Sequence, residues 1–137
     1  MADLASRHVV VLKPGEIAPE AQEGIVLVVD DDDVIRETLC ELLEMHGHHA
    51  VGARDGVEAL ALLRSGDRVS FMVLDLAMPG MSGFQVLRLL SEDLHLKELP
   101  LCIATATVER APVGVPVLAK PIDMTRLLKM IEESRAN

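Results

Sequence analysis

Five short apolar runs alternate along the chain with longer stretches in which apolar residues recur every three or four positions. The runs are Ile25–Val29, a weaker one in His48–Ala53, Val69–Leu74, Leu101–Ala104 and Val115–Ala119. Short β-branched runs bounded by polar or turn residues predict strands. Between the first two, Ile35, Leu39, Leu42 and Leu43 form a helical stripe that begins at an N-cap among Asp32 and Asp33 and stops at Gly47. Asp55 caps a second helix carrying Val57, Leu60, Ala61 and Leu63, which Gly66 ends. A third begins over Phe84–Leu90, with either Phe84, Leu87 and Leu90 or Val86 and Leu90 facing inward. Asp123 caps the last, with Met124, Leu127, Leu128 and Ile131 at core spacing. Strands alternating with helices predict βαβ crossovers and a parallel α/β sheet. The segment 105–114 between the last two strands contains Pro112 and Gly114. It is expected to be a loop or one short turn rather than a regular helix.

Residues 1–23 are expected to be an N-terminal extension and residues 24–137 one domain. Within the extension, His8–Leu12 can form a short strand, Lys13-Pro14-Gly15 ends it, and Pro19 with Glu16, Glu20 and Glu23 reads as a linker. A chain of 137 residues suits one domain with a real core. With two Phe, no Tyr and no Trp, that core must be built from aliphatic side chains and Met. The net charge of −9 and the lack of a Lys/Arg cluster argue against a nucleic-acid partner. Cys40 and Cys102 sit inside apolar patterns and read as buried free thiols of a reducing compartment, with a disulfide as the alternative. No stretch is apolar enough for a membrane span, and the N-terminus does not read as a signal peptide. A cytoplasmic protein with no membrane partner is expected.

The chemistry collects at the ends of the predicted strands. Asp30, Asp31, Asp32 and Asp33 follow the first, Asp75 follows the third, Thr105 the fourth and Lys120 the fifth. Parallel α/β sheets place functional groups at the carboxyl ends of their strands. Crowded carboxylates repel, and one takes up a proton unless a cation compensates. Mg²⁺, a hard ion that binds carboxylates together with phosphate oxygens and water, resolves this. A bare carboxylate such as Asp75 can attack phosphorus. The metal and Lys120 then neutralise the phosphoryl charge, and the Thr105 hydroxyl can hydrogen-bond a phosphoryl oxygen.

These pieces together resemble the receiver domain of two-component response regulators over residues 24–135. The matching segments are Val28-Val29-Asp30-Asp31, the run Asp75-Leu76-Ala77-Met78-Pro79-Gly80-Met81-Ser82-Gly83, Ala104-Thr105-Ala106 and Lys120-Pro121. The resemblance implies a flavodoxin-like (βα)5 doubly wound parallel five-stranded sheet, with the helix between strands 4 and 5 shortened or absent. It implies that Asp75 accepts a phosphoryl group from a histidine kinase or phosphotransfer protein. Asp31, Asp75 and the main-chain carbonyl of Ala77 would bind Mg²⁺ directly, and Asp30 through metal-bound water. Thr105 and Lys120 would hold the phosphoryl oxygens, and the Lys120-Pro121 bond would be cis. The resemblance also implies no enzyme beyond self-phosphorylation and self-dephosphorylation.

The chain departs from the common receiver pattern in three places. The helix between strands 4 and 5 is expected to be truncated or lost, Val117 stands where an aromatic switch residue is usual, and Ile122 replaces the usual Phe after Lys-Pro. The segment from Leu99 to Ala106 is similar instead to a subgroup with a Pro-Phe-x-Phe-Ala-Thr-Gly fourth strand, often single-domain receivers working with HWE-type kinases. In that subgroup pattern Leu101, Ile103 and Ala106 replace Phe, Phe and Gly. Without the aromatic rotor, the segment 105–114 is expected to act as an order–disorder switch. No effector domain is expected after the last helix, so output would pass by contact with a downstream protein or by phosphorelay. Two other classes compete. A pseudo-receiver would bind partners without phosphorylation. A haloacid-dehalogenase-type phosphatase would use Asp30 as nucleophile within Asp30-Asp31-Asp32-Asp33-Val34, but it would leave Asp75 and its turn unexplained and lacks a later acidic pair.

Overall fold

The computed structural model describes residues 24–136 together with Pro14. The expected strand His8–Leu12 and, Pro14 apart, the rest of the extension lie outside the described residues. Strands β1 (Ile25–Val29), β2 (Ala50–Ala53), β3 (Val69–Asp75), β4 (Leu101–Thr105) and β5 (Val117–Ala119) alternate with helices α1 (Asp33–Met45), α2 (Gly56–Arg64), α3 (Gly83–Ser91) and α4 (Met124–Ala136). All pairings are parallel and the order is β2-β1-β3-β4-β5. This is the flavodoxin-like doubly wound sheet, with its topological switch between β1 and β3. A single 3₁₀ turn, Val108–Arg110, stands where a helix would join β4 to β5.

Period-two alternation along the central strands divides the core into two layers. Leu27, Val29, Met72, Leu74 and Ile103 pack toward α2 and α3, while Val26, Val28, Phe71, Val73 and Cys102 pack toward α1 and α4. Strands covered on both faces read as unbroken apolar runs, which is why β1 and β3 are so legible. Each fully buried aliphatic side chain contributes about 1.5–3 kcal/mol of transfer free energy. The 3₁₀ segment covers the α3 side of β4 and β5 only thinly, through Ala111 and Val115 beside half-buried Val117.

The capping residues sit where their chemistry requires. Asp32 accepts from the Ile35 N–H, Asp55 from the Glu58 N–H, and Ser82 forms a reciprocal capping box with Gln85. Strand ends and helix faces differ from the simple pattern in four places. β2 starts at Ala50 because the His48 N–H closes the end of α1 on the Leu43 carbonyl. β5 starts at Val117 because Pro116 has no N–H, although its carbonyl still accepts from Ile103. On α2 the buried stripe is Gly56, Ala59, Leu60 and Leu63, leaving Val57 and Ala61 exposed. Gly56 lets the helix start sit close to Val86 and Met81, where a Cβ would clash, while Leu60 and Leu63 fill the core on the same face. On α3 the Val86–Leu90 face points inward and Phe84 points out. Cys102 is buried as expected, but Cys40 is only half-buried, and both thiols are free.

Gly83 fixes how α3 meets the site. Its N–H donates to the Leu76 carbonyl at 2.9 Å. A Cβ at this position would stand 2.3 Å from the Asp75 carbonyl oxygen and 2.8 Å from the Leu76 Cα. Both obstacles are main chain of the segment carrying the acid, so neither can move away alone. Gly83→Ala should therefore lower unfolding free energy by about 2–3 kcal/mol, as forced overpacking does. Urea denaturation at neutral pH measures this, and an unchanged midpoint would contradict the close approach.

Candidate functional site

Four strands deliver the site residues to one edge of the sheet. Asp30 follows β1, Asp75 ends β3, Thr105 ends β4 and Lys120 follows β5. The edge is the carboxyl end, beside the β1/β3 switch point. Asp30, Asp75 and Thr105 are buried, and Asp31 is exposed. Ala77 is exposed in the loop two residues beyond Asp75. The Lys120-Pro121 peptide is cis.

The Lys120 ammonium stands between two buried carboxylates. Its Nζ donates to Asp30 Oδ2 at 2.6 Å and lies 3.4 Å from Asp75 Oδ1. Asp30 Oδ1 also accepts from the Asp32 N–H at 2.9 Å. Each Asp30 oxygen therefore has a donor, as buried carboxylates require. The ammonium pairs more closely with Asp30 than with Asp75. Burial alone would lower the Lys120 pKa, but the hydrogen bond and charge of Asp30, with the charge of Asp75, raise it instead. For Asp75 the balance runs the other way. Burial is the largest effect and pushes its carboxyl up to about 6, Lys120 opposes this, and Asp30 and Asp31 add to it.

Carboxylate oxygens of Asp30, Asp31 and Asp75 lie within 4.8 Å of one another. Three acids against one lysine leave an excess of negative charge in a partly buried pocket. The donors are all hard oxygens, one of them on the solvent side, so the set fits a hard divalent cation such as Mg²⁺. Thr105 is turned toward its own loop: its Oγ1 accepts from the Thr107 N–H at 3.1 Å and lies 3.2 Å from Thr107 Oγ1. The Lys120 N–H donates to the Thr105 carbonyl at 2.9 Å, tying the two strand ends together.

Two contributors were not singled out from sequence. Gly83 is one. The other is Arg36, whose Nη1 donates to the Asp30 main-chain carbonyl at 2.8 Å. A basic residue six positions after Asp30 gives little warning, because surface arginines on helices are common. Gly52, inside a predicted strand, is the stronger clue, since such glycines often mark a close approach.

The comparisons with known proteins agree with this geometry. The response regulator receiver domain family matches residues 26–132. The chain belongs to this family. Receiver domains are the phosphoacceptor modules of two-component signalling. Among relatives, Protein PilH of Pseudomonas aeruginosa is 32% identical over 113 residues, covering 77% of this chain and 93% of that protein. Chemotaxis protein CheY of the same organism is 36% identical over 116 residues, covering 79% and 93%. Response regulator MprA of Mycobacterium avium is 37% identical over 110 residues, but the match spans only 47% of its length, so this receiver corresponds to about half of that protein. Among solved structures, a response regulator receiver protein from Pseudomonas putida superposes with a TM-score of 0.72 at 32% identity, covering 80% of this chain and 96% of that one. Vibrio cholerae CheY4 gives 0.71 at 30% identity, covering 81% and 98%.

The raised pKa of Asp75 makes stability depend on pH in a defined direction. Between the ordinary carboxyl value of 3.8 and about 6, the native receiver holds a proton that the unfolded chain has released. Stability then falls as pH rises through that window, and above it the charged, buried Asp75 costs up to about 3 kcal/mol. Without divalent cations, Asp75→Asn should raise the urea midpoint at pH 7, with the gain vanishing by pH 4. A variant no more stable than wild type at pH 7 would show that Asp75 is not held at such a cost.

Proposed function

We propose that Asp75 is the phosphoacceptor of this receiver, with Asp30, Asp31, Asp75 and the Ala77 carbonyl holding Mg²⁺ and with Thr105 and Lys120 binding the transferred group. The observation that carries the reading is the Lys120 ammonium shared between Asp30 and Asp75, with Asp31 in the same cluster. A carboxylate oxygen of Asp75 forms a bond to phosphorus while the bond from phosphorus to the donor nitrogen breaks, and the electron pair leaves with the donor. Bound Mg²⁺ supplies charge neutralisation for the acids and the phosphoryl oxygens. Lys120 swings its shorter contact from Asp30 to the new anion, a move of small reach because Asp75 Oδ1 is already 3.4 Å away. The Thr105 hydroxyl leaves Thr107 to donate to a phosphoryl oxygen.

The donor in this reading is the phosphohistidine of a histidine kinase or phosphotransfer protein. An apolar groove of about 290 Å³ between α1 and the segment after β5, lined by Val34, Ile35, Leu39, Lys120 and Ile122, opens beside the site and suits such a partner. Val34 stands at its rim, 73% exposed, and adds apolar surface to the groove. No helix of the described residues is long and apolar enough to cross a membrane. We place the protein in the cytoplasm, with residues 1–23 an extension to a receiver spanning 24–137. Output passes by protein contact or onward relay.

Incubation with Mg²⁺ and acetyl phosphate, followed by peptide mass spectrometry, tests the reading. The phosphoryl group should appear on Asp75, vanish in Asp75→Asn, and form about 100-fold more slowly in Lys120→Ala, the loss typical of one removed charge stabiliser. No labelling would indicate a pseudo-receiver. Catalytic turnover lost with Asp30→Asn while Asp75→Asn stays active would indicate a phosphatase. The switching element in this reading is the segment 105–114, because retargeting Thr105 breaks the contacts that close its start. NMR relaxation of these residues should change when beryllofluoride binds at Asp75, and identical dynamics in the two states would remove the segment from the mechanism.

A further inference from the structure

Arg36 lies on the second turn of α1, yet its side chain is only 14% exposed. Its guanidinium serves two acceptors. Nη1 donates to the Asp30 carbonyl at 2.8 Å, and Nη2 donates to Asp33 Oδ1. To reach them, the aliphatic stem crosses β2 at Gly52. A Cβ on Gly52 would stand 2.9 Å from Arg36 Cδ and 3.0 Å from Cγ. Gly52 pairs with Val28 inside the β1–β2 ladder, a place where glycine weakens a strand. The missing side chain therefore leaves a notch that the arginine stem fills.

The carbonyl that Arg36 holds belongs to the peptide joining Asp30 to Asp31. The orientation of that peptide sets the direction of both side chains. The Asp30 carboxylate has its own anchors in Lys120 and the Asp32 N–H. Asp31 is exposed, so its aim depends on the main chain. We infer that Arg36, seated in the Gly52 notch, is a positioning residue that orients the Asp30–Asp31 pair for its cation. This rests on the reading of the acidic cluster as a Mg²⁺ site.

The inference makes a prediction opposite in sign to simple electrostatics. A positive charge close to a cation site repels the cation, so removing it should tighten binding if charge were all that mattered. If the fork orients the ligands, removing it should weaken binding, and outer-shell partners of metal ligands commonly contribute 10–100-fold. Lysine keeps the charge but lacks the planar fork that reaches both acceptors.

Calorimetric titration of the full chain with Mg²⁺ separates these cases. Arg36→Met should bind about tenfold more weakly than wild type, and Arg36→Lys should also be weakened. Gly52→Ala, which displaces the stem while leaving the guanidinium present, should weaken binding in the wild-type background. It should add nothing further once Arg36 is Met. Equal or tighter binding by Arg36→Met would overturn the inference. So would a Gly52→Ala effect of the same size in both backgrounds. If Arg36→Met does not fold, Arg36→Lys and Gly52→Ala decide the matter, and wild-type affinity in both overturns the inference. Asp31→Asn serves as the control for the site itself. Wild-type binding that Asp31→Asn abolishes but Arg36→Met leaves intact defeats the clamp alone, whereas no binding by wild type defeats the site reading and the clamp together.

Discussion

Gathering three carboxylates at one end of a small sheet is unfavourable in itself, and the ammonium of Lys120 is what makes it tolerable. Its 2.6 Å bond to Asp30 and its 3.4 Å approach to Asp75 tie together strand ends that are distant in sequence. The compensation is incomplete. Asp75 still has its carboxyl pushed up to about 6, chiefly by burial. A folded chain that retains this electrostatic debt is poised to favour whatever brings further positive charge to the pocket. The acids gathered at this edge form a cluster able to hold a metal ion.

The rest of the molecule serves to hold that edge. β1 and β3, buried on both faces, form the rigid centre, and the acids leave them where the backbone is best fixed. α3 is drawn against the Asp75 main chain through Gly83. Arg36 bridges α1 and the Asp30 peptide. Support thins toward β5, a strand of three residues at the sheet edge, joined to β4 by a 3₁₀ turn in place of a helix.

The ladder of elements and the charged strand ends were legible because both are local properties. An apolar run that must be covered on two faces is unbroken wherever it lies, and helix caps depend on residues three positions apart. Asp30, Asp31, Asp75, Thr105 and Lys120 could be nominated because parallel topology brings strand carboxyl ends together. Helix rotation was less accessible. Val57 and Ala61 have the same spacing as Ala59 and Leu63, and only the packing of Ala59, Leu60 and Leu63 into the core, with Gly56 close to Val86 and Met81, selects between the two faces.

The order of residues along this chain determined the alternation of elements, the parallel sheet, the loss of a helix before β5 and the identity of the charged groups at the strand ends. Tertiary structure alone decided that Lys120 sits nearer Asp30 than Asp75, that Thr105 turns toward Thr107, and that Arg36 reaches across Gly52 to the Asp30 carbonyl. The division follows from range. Periodicity and capping act over a few residues and are written locally, whereas the partner of a buried charge is set by distances between strands that meet only when the sheet has formed.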